Sequence, residues 1–147
     1  MSDINAAIGR KQLERIDTIL SRRRSNFEVL KSGLAHLPRI AVLDSVHSHA
    51  RQSHYCLSAV VEGADLDARH AIVQALKAAG IGTSVYYPHP VPRLAYYRGK
   101  YGWDPGRYPN AVRISDQSIA LPVGPHVQEE DMIYIGEKFK EALGKAA

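Results

Sequence analysis

The chain has 147 residues, 45% hydrophobic and 23% charged, which describes an ordinary globular domain long enough to bury a core. Its net charge of +4 is mild and its basic residues are scattered apart from Arg22 to Arg24, which argues against a nucleic-acid partner. A lone cysteine, Cys56, rules out an internal disulfide, no apolar run approaches the roughly 20 residues that span a membrane, and the charged start is unlike a signal peptide, so the expected setting is the cytoplasm.

Residues 1–37 read as one long amphipathic helix. Ser2 or Asp3 can cap its start and Pro38 stops it. Ile4, Ile8, Leu13, Ile16, Leu20, Phe27, Leu30, Leu34 and Leu37 recur at gaps of three, four or seven, with one of five, which keeps them on one side. At about 1.5 Å per residue such a helix is about 50 Å long, so it runs along a domain rather than inside one. Ala6, Ala7 and Gly9 leave one flank nearly bare, open to close approach by another backbone. Gly9 costs about 1 kcal/mol relative to alanine there, which asks for a packing reason.

Arg39 to Leu43 is a short extended stretch, followed by a polar loop from Asp44 to Ser53. His47, His49 and His54 lack a fourth ligand at metal spacing, so no metal site is expected. Tyr55 to Val61 is β-rich and almost wholly apolar, as in a strand covered on both faces. A helix starts near Asp65 or Asp67, buries Ile72, Leu76 and Ala79, and ends at Gly80. Ile81 to Tyr87 then reads as a second strand, giving an α/β or α+β unit.

Pro88 to Pro109 carries five prolines, and six of the eight tyrosines lie between Tyr86 and Tyr108. Prolines obstruct strand pairing, so this stretch is expected to be a long ordered loop, of the kind that often carries function. Asn110 to Ser118 suits a short helix and Ile119 to Pro122 a third strand. The last helix begins at Gln128, with Glu129, Glu130 and Asp131 favouring its N-terminal dipole. Met132, Ile135, Phe139 and Leu143 mark its buried side.

Three blocks carry a family resemblance. MSDINAAIGRKQLERID, with Arg22 to Arg24 following, is similar to (R)MSDINAAIGxxQLxRL of the DegT/DnrJ-type sugar aminotransferases. GIGTSVYYPHPVPRLAYYR, Gly80 to Arg98, resembles their GIGTxVYYPxPLHLQxAY. YPNAVRISDQSIALPVGPHVQEEDMIYI, Tyr108 to Ile135, resembles FPxAExxSxxxLxLPxxPxLTxEDxxxV. The blocks occur in the family's order and cover nearly the whole chain.

The resemblance implies the C-terminal small domain of a fold-type I enzyme dependent on pyridoxal phosphate (PLP). Its fold would be α+β: a long first helix over 1–37 tied to a large domain, then, over 38–147, a small antiparallel sheet of about three strands with helices on one side. The parent enzyme would transfer amino groups to nucleotide-linked keto sugars as a homodimer. None of the seven lysines, Lys11, Lys31, Lys77, Lys100, Lys138, Lys140 and Lys145, matches the family's cofactor-binding motif, which lies upstream of the residues matching Met1, as does its phosphate-contacting asparagine. By that reading this chain holds no catalytic or cofactor residue and does not transaminate alone. Tyr86, Tyr87 and His89 are the candidate substrate contacts, with the reading that a tyrosine ends a strand in the core kept open beside it. Pro92 stands where the family usually has histidine, which puts that contact in question. Ile4, Asn5, Ala7 and Ile8 are the candidate domain or dimer contacts, left exposed if the large domain is absent. Arg22 to Arg24 are expected to form a solvated face, with a diphosphate or subunit contact as the lesser reading. The alternative function is a free-standing, non-catalytic interaction module that pairs with an intact homologue.

Overall fold

The computed structural model describes residues 1–45, 47 and 49–146; the parts of the expected polar loop at Val46 and Ser48 lie outside the described residues. Nine elements follow in order: helices α1 (Asp3–Leu13) and α2 (Ile16–Leu34), strands β1 (Ile40–Leu43) and β2 (Cys56–Val61), helices α3 (Leu66–Ala78), α4 (Ala95–Tyr101) and α5 (Pro109–Gln117), strand β3 (Ser118–Pro122) and helix α6 (Glu129–Ala146). The strands form one antiparallel sheet in the order β1-β2-β3. The α+β architecture expected from the sequence is therefore the one observed.

Alternation along the strands sets the core. In the register Leu57 faces Leu121 and Ala59 faces Ile119, and all four are completely buried. Phe27, Leu30 and Leu34 of α2, Ile72 and Leu76 of α3, and Met132, Ile135 and Phe139 of α6 close over them. Burying each large apolar side chain stabilises the fold by about 1.5–3 kcal/mol, so these three helices fix the sheet's covered face. Asp65 accepts from the Ala68 amide at 2.8 Å as the N-cap of α3, and Gly80 ends that helix at φ 78°, a conformation costly for any residue with a Cβ.

Three expectations need correction. The first helix is not continuous. The Arg15 amide returns to the Gln12 carbonyl at 3.1 Å, a tightened turn, and Arg15 itself sits at φ −113°, ψ 5°. The break, at Glu14 and Arg15, follows the five-residue gap between Ile8 and Leu13, where the apolar row slips off its face. All of α1 is consequently exposed, while α2 packs into the core.

The strand expected at Ile81 to Tyr87 is reduced to one bridge. Ser84 and Ala120 exchange two backbone hydrogen bonds, of 3.1 and 2.7 Å, at the outer edge of β3. Beyond it Tyr86 and Tyr87 are 43% and 73% exposed, and Pro88 brings no amide donor with which to continue a ladder.

The proline-rich stretch is also more regular than expected. It forms α4 flanked by 3₁₀ turns at Val91–Arg93 and Pro105–Arg107. Pro105 opens the second turn and Pro109 opens α5. At a helix's first position the missing N–H has no partner to lose, so these prolines start helices.

Candidate functional site

Two clefts gather the chain's polar aromatic and cationic side chains. The first, of about 490 Å³, lies where the α1–α2 junction, the start of β2 and the turn after β3 meet. Cys56 and Ala120, whose strand neighbours Leu57, Ile119 and Leu121 point into the core, are in its lining. Arg23, Tyr55, Tyr86 and His126 supply its chemistry. The Tyr55 and Tyr86 rings are 6.4 Å apart, and the Arg23 guanidinium sits 5.7 Å from the Tyr55 centroid. Hydrogen bonding to the Tyr86 side chain holds the Tyr55 phenol above its usual range, with Arg23 pulling weakly the other way.

The second cleft, of about 610 Å³, is built by the proline-rich segment itself. Trp103 and Tyr108 lie nearly parallel, 6.1 Å apart, as do Tyr97 and Tyr101 at 6.4 Å, and Arg107 joins them in the lining. One half-buried ion pair anchors this segment: Arg93 meets the Asp116 carboxylate on α5 while its guanidinium lies 5.9 Å from the Trp103 ring centroid. The Asp116 carbonyl in turn accepts from Arg69 Nε of α3 at 3.4 Å. Flat rings, phenols and guanidinium groups can stack on a ring and hold oxyanions. They are groups suited to binding.

Of the expected substrate contacts, Tyr86 enters the first cleft. Tyr87 is 73% exposed and meets it only through the edge of Tyr86, 5.9 Å away. His89 is exposed and lines neither cleft. Pro92 does line the second cleft. Ile4, Asn5, Ala7 and Ile8 are all exposed on α1, with Ile4 at 73% and Ile8 at 57%. Sequence reading missed Trp103, Arg93 and His126. For the stacked pair Tyr97 and Tyr101 the signal was present: they sit one helical turn apart once α4 is recognised. Arg93 and Asp116 are 23 positions apart and carry no pattern.

The model of the DegT/DnrJ/EryC1/StrS aminotransferase family matches residues 1–140. The chain belongs to this family. It is 26% identical over 144 residues to the lipopolysaccharide biosynthesis protein RfbH of Salmonella typhimurium, covering 98% of this chain and 33% of that protein. It is 29% identical over 145 residues to the spore coat polysaccharide biosynthesis protein SpsC of Bacillus subtilis, covering 97% and 37%. Among solved structures, the PLP form of Spr1654 from Streptococcus pneumoniae, described as a sugar aminotransferase, matches with a TM-score of 0.89 and 35% identity over 100% of this chain and 37% of that one. The Helicobacter pylori aminotransferase PseC shares the fold at a TM-score of 0.87 but only 16% identity. This chain thus spans about a third of the length of the relatives it matches.

Family members carry PLP, as the PLP and PMP forms of Spr1654 show. Lys11, Lys31 and Lys138 are paired with Glu14, Asp44 and Glu141, and Lys100 lies 5.2 Å from the Tyr101 centroid. Lys77, Lys140 and Lys145 are exposed, and no lysine lines either cleft. Among the described residues, no helix is long and apolar enough to cross a membrane.

Proposed function

We propose that this chain is the substrate-facing small-domain portion of a PLP-dependent aminotransferase that acts on nucleotide-linked keto sugars, and that it does not transaminate alone. The observation that carries this is the first cleft, which gathers Tyr55, Tyr86, Arg23 and His126 without a lysine. Such a set can position a sugar and its phosphates, but it cannot form the imine on which PLP chemistry depends. When bound, that cofactor supplies an electron sink for the migrating amino group's carbon. The lysine that carries it belongs to the remainder of a full-length enzyme.

The exposed α1 face at Ile4, Asn5, Ala7 and Ile8 is then where that remainder, or an intact homologue, packs. Its small residues allow close backbone approach. The parent assembly is a homodimer, with substrate enclosed under the aromatic segment Pro88 to Tyr108.

The deciding experiment is to incubate the purified chain with PLP, reduce with borohydride and map the product by mass spectrometry. The expected result is scattered, substoichiometric labelling of exposed lysines. One lysine labelled to completion, with a matching visible chromophore, would show that the chain holds its own cofactor and overturn the proposal.

A further inference from the structure

A third cleft, of about 330 Å³, opens where α3 and α6 meet the end of β2, a volume within the lower range of small-molecule sites. The core reaches the surface there: Val61, Ala64 and Ile72, each 7% exposed or less, line its inner side. Small residues leave it unfilled. Ala68 of α3 and Gly144 of α6 are both in the lining, and a Cβ added to Gly144 would meet no atom within 4 Å. Apolar walls hold water poorly, so an alkyl chain that displaces it is favoured.

This cleft shares no lining residue with those that contain Tyr86 and Trp103. Along α2, Arg23 beside the first cleft and Leu34 near this one are about 16 Å apart at 1.5 Å per residue.

Two cations stand at its mouth. Arg39 and Lys140 are the charged residues of the lining, and no carboxylate joins them. Among the described residues, neither has an ion-pair partner. Of the nearby acids, Glu62 pairs with Arg113 at 3.7 Å, Glu141 with Lys138 at 2.8 Å, and Asp65 accepts from the Ala68 amide. Asp67 and Glu137 are exposed and outside the lining.

Arg39 is held in place. Its φ of 65° is a left-handed conformation, unfavourable for a residue with a Cβ. In it, Nε donates to the Glu62 carbonyl at 2.8 Å, and the Glu62 amide donates back to the Arg39 carbonyl at 2.7 Å. Gly63 leaves room for the guanidinium, since a Cβ there would lie 3.3 Å from Arg39 Nη2. A guanidinium fixed at an apolar mouth, with no acid on its terminal nitrogens, is suited to hold a carboxylate.

We infer that this cleft binds an aliphatic carboxylate, with its alkyl chain between α3 and α6 and its carboxylate between Arg39 and Lys140. The charge selects this occupant. A neutral chain leaves both cations unanswered, and a cationic one is repelled. The site is independent of the function proposed above.

Calorimetric titration of the chain with decanoate, octanoate, acetate and decyltrimethylammonium, all below micelle-forming concentrations, tests this. One decanoate should bind per chain, with a negative heat-capacity change. Octanoate should bind about tenfold more weakly for its two missing methylenes, and acetate not measurably. Decyltrimethylammonium should bind far more weakly than decanoate. Arg39→Gly removes the guanidinium and suits the left-handed backbone, so the fold should persist while decanoate binding weakens about fivefold. Lys140→Gln should have a similar effect. Gly144→Leu plugs the cleft with a better helix former, and should abolish binding without lowering the thermal midpoint. Lys145→Ala, next to it but outside the lining, should change nothing.

No saturable decanoate binding, or binding unaffected by Gly144→Leu, overturns the site. Decyltrimethylammonium that binds as tightly as decanoate overturns its assignment to an anion. Self-association of the parent chain that Gly144→Leu abolishes in sedimentation velocity runs would give the cleft to a second copy and overturn the proposal.

Discussion

The side-chain amide of Asn26, on α2, donates to the carbonyl of Gly124 at 2.9 Å, 98 positions further along the chain. The same nitrogen donates to the Val127 carbonyl at 3.1 Å, so one buried group holds both sides of the turn that carries His126. Asn26→Leu should leave the Val127 carbonyl unpaired and the Gly124 carbonyl with only the Val127 amide, at 3.3 Å, and cost about 1–3 kcal/mol. Asn26→Asp should cost at least as much, because a carboxylate would face two carbonyl oxygens. Urea unfolding midpoints measure both; a leucine variant as stable as the parent would show that the bonds do not hold the turn.

The exposed row on α1 leads to a different expectation. Ile4, Ile8 and Leu13 are 73%, 57% and 68% exposed, and no residue of α1 is buried. Adjacent apolar side chains on one face promote association. The chain should self-associate with rising concentration, and Ile4→Lys with Ile8→Lys should suppress this in sedimentation velocity runs. Because these residues support no core, thermal stability should change by less than about 0.5 kcal/mol. A wild-type chain that stays monomeric at high concentration would remove this face as a contact surface.

The contrast between α1 and α2 shows what the sequence could and could not reveal. The apolar row marked Phe27, Leu30 and Leu34 as core, and they are buried to 1% or less. It treated Ile4 and Ile8 alike, because periodicity reports an apolar face and not what covers it. The sheet was readable wherever both neighbours were strands, as for Cys56 to Val61. It failed at Ile81 to Tyr87, where β-rich composition met an edge with one bridging residue. Prolines read as breakers turned out to be helix starters, because their effect depends on position within the turn. In the clefts, Tyr86 was found from a motif. Arg23, His126 and the Arg93–Asp116 pair depend on contacts between distant segments, which no local pattern encodes.

That last pair governs the aromatic segment. The protein has one tryptophan, Trp103, and the Arg93 guanidinium lies 5.9 Å from its ring while pairing with Asp116. Arg93→Ala removes the anchor and leaves the partly buried Asp116 carboxylate without its cation. Tryptophan emission should shift to the red and become more accessible to acrylamide. The core barely touches this segment, so the global unfolding midpoint should move less than the fluorescence does. An unchanged emission maximum would show that the segment is held by its stacked rings alone.

Acid should weaken the attachment of the loop after β1 before it unfolds the core. Asp44 is held below the usual carboxylate range, chiefly by the hydrogen bond from Lys31 and then by that from Gln52. Lys31, on α2, is held above the usual ammonium range by the same bond. A carboxyl depressed in the folded state contributes stability that is complete above its unfolded value of about 3.9 and is lost as pH falls through the folded value. A raised ammonium contributes stability lost only as pH climbs through its folded value, above 10.5. Both side chains are about one-third exposed, at 38% and 30%, so screening keeps the effect small. Asp44→Asn should therefore lower stability slightly at neutral pH and flatten the acid limb of a stability profile below about pH 5, while leaving its middle unchanged in shape. Added salt should shrink the difference between parent and variant. Parallel acid limbs for the two proteins would mean that Asp44 gains nothing from Lys31 on folding.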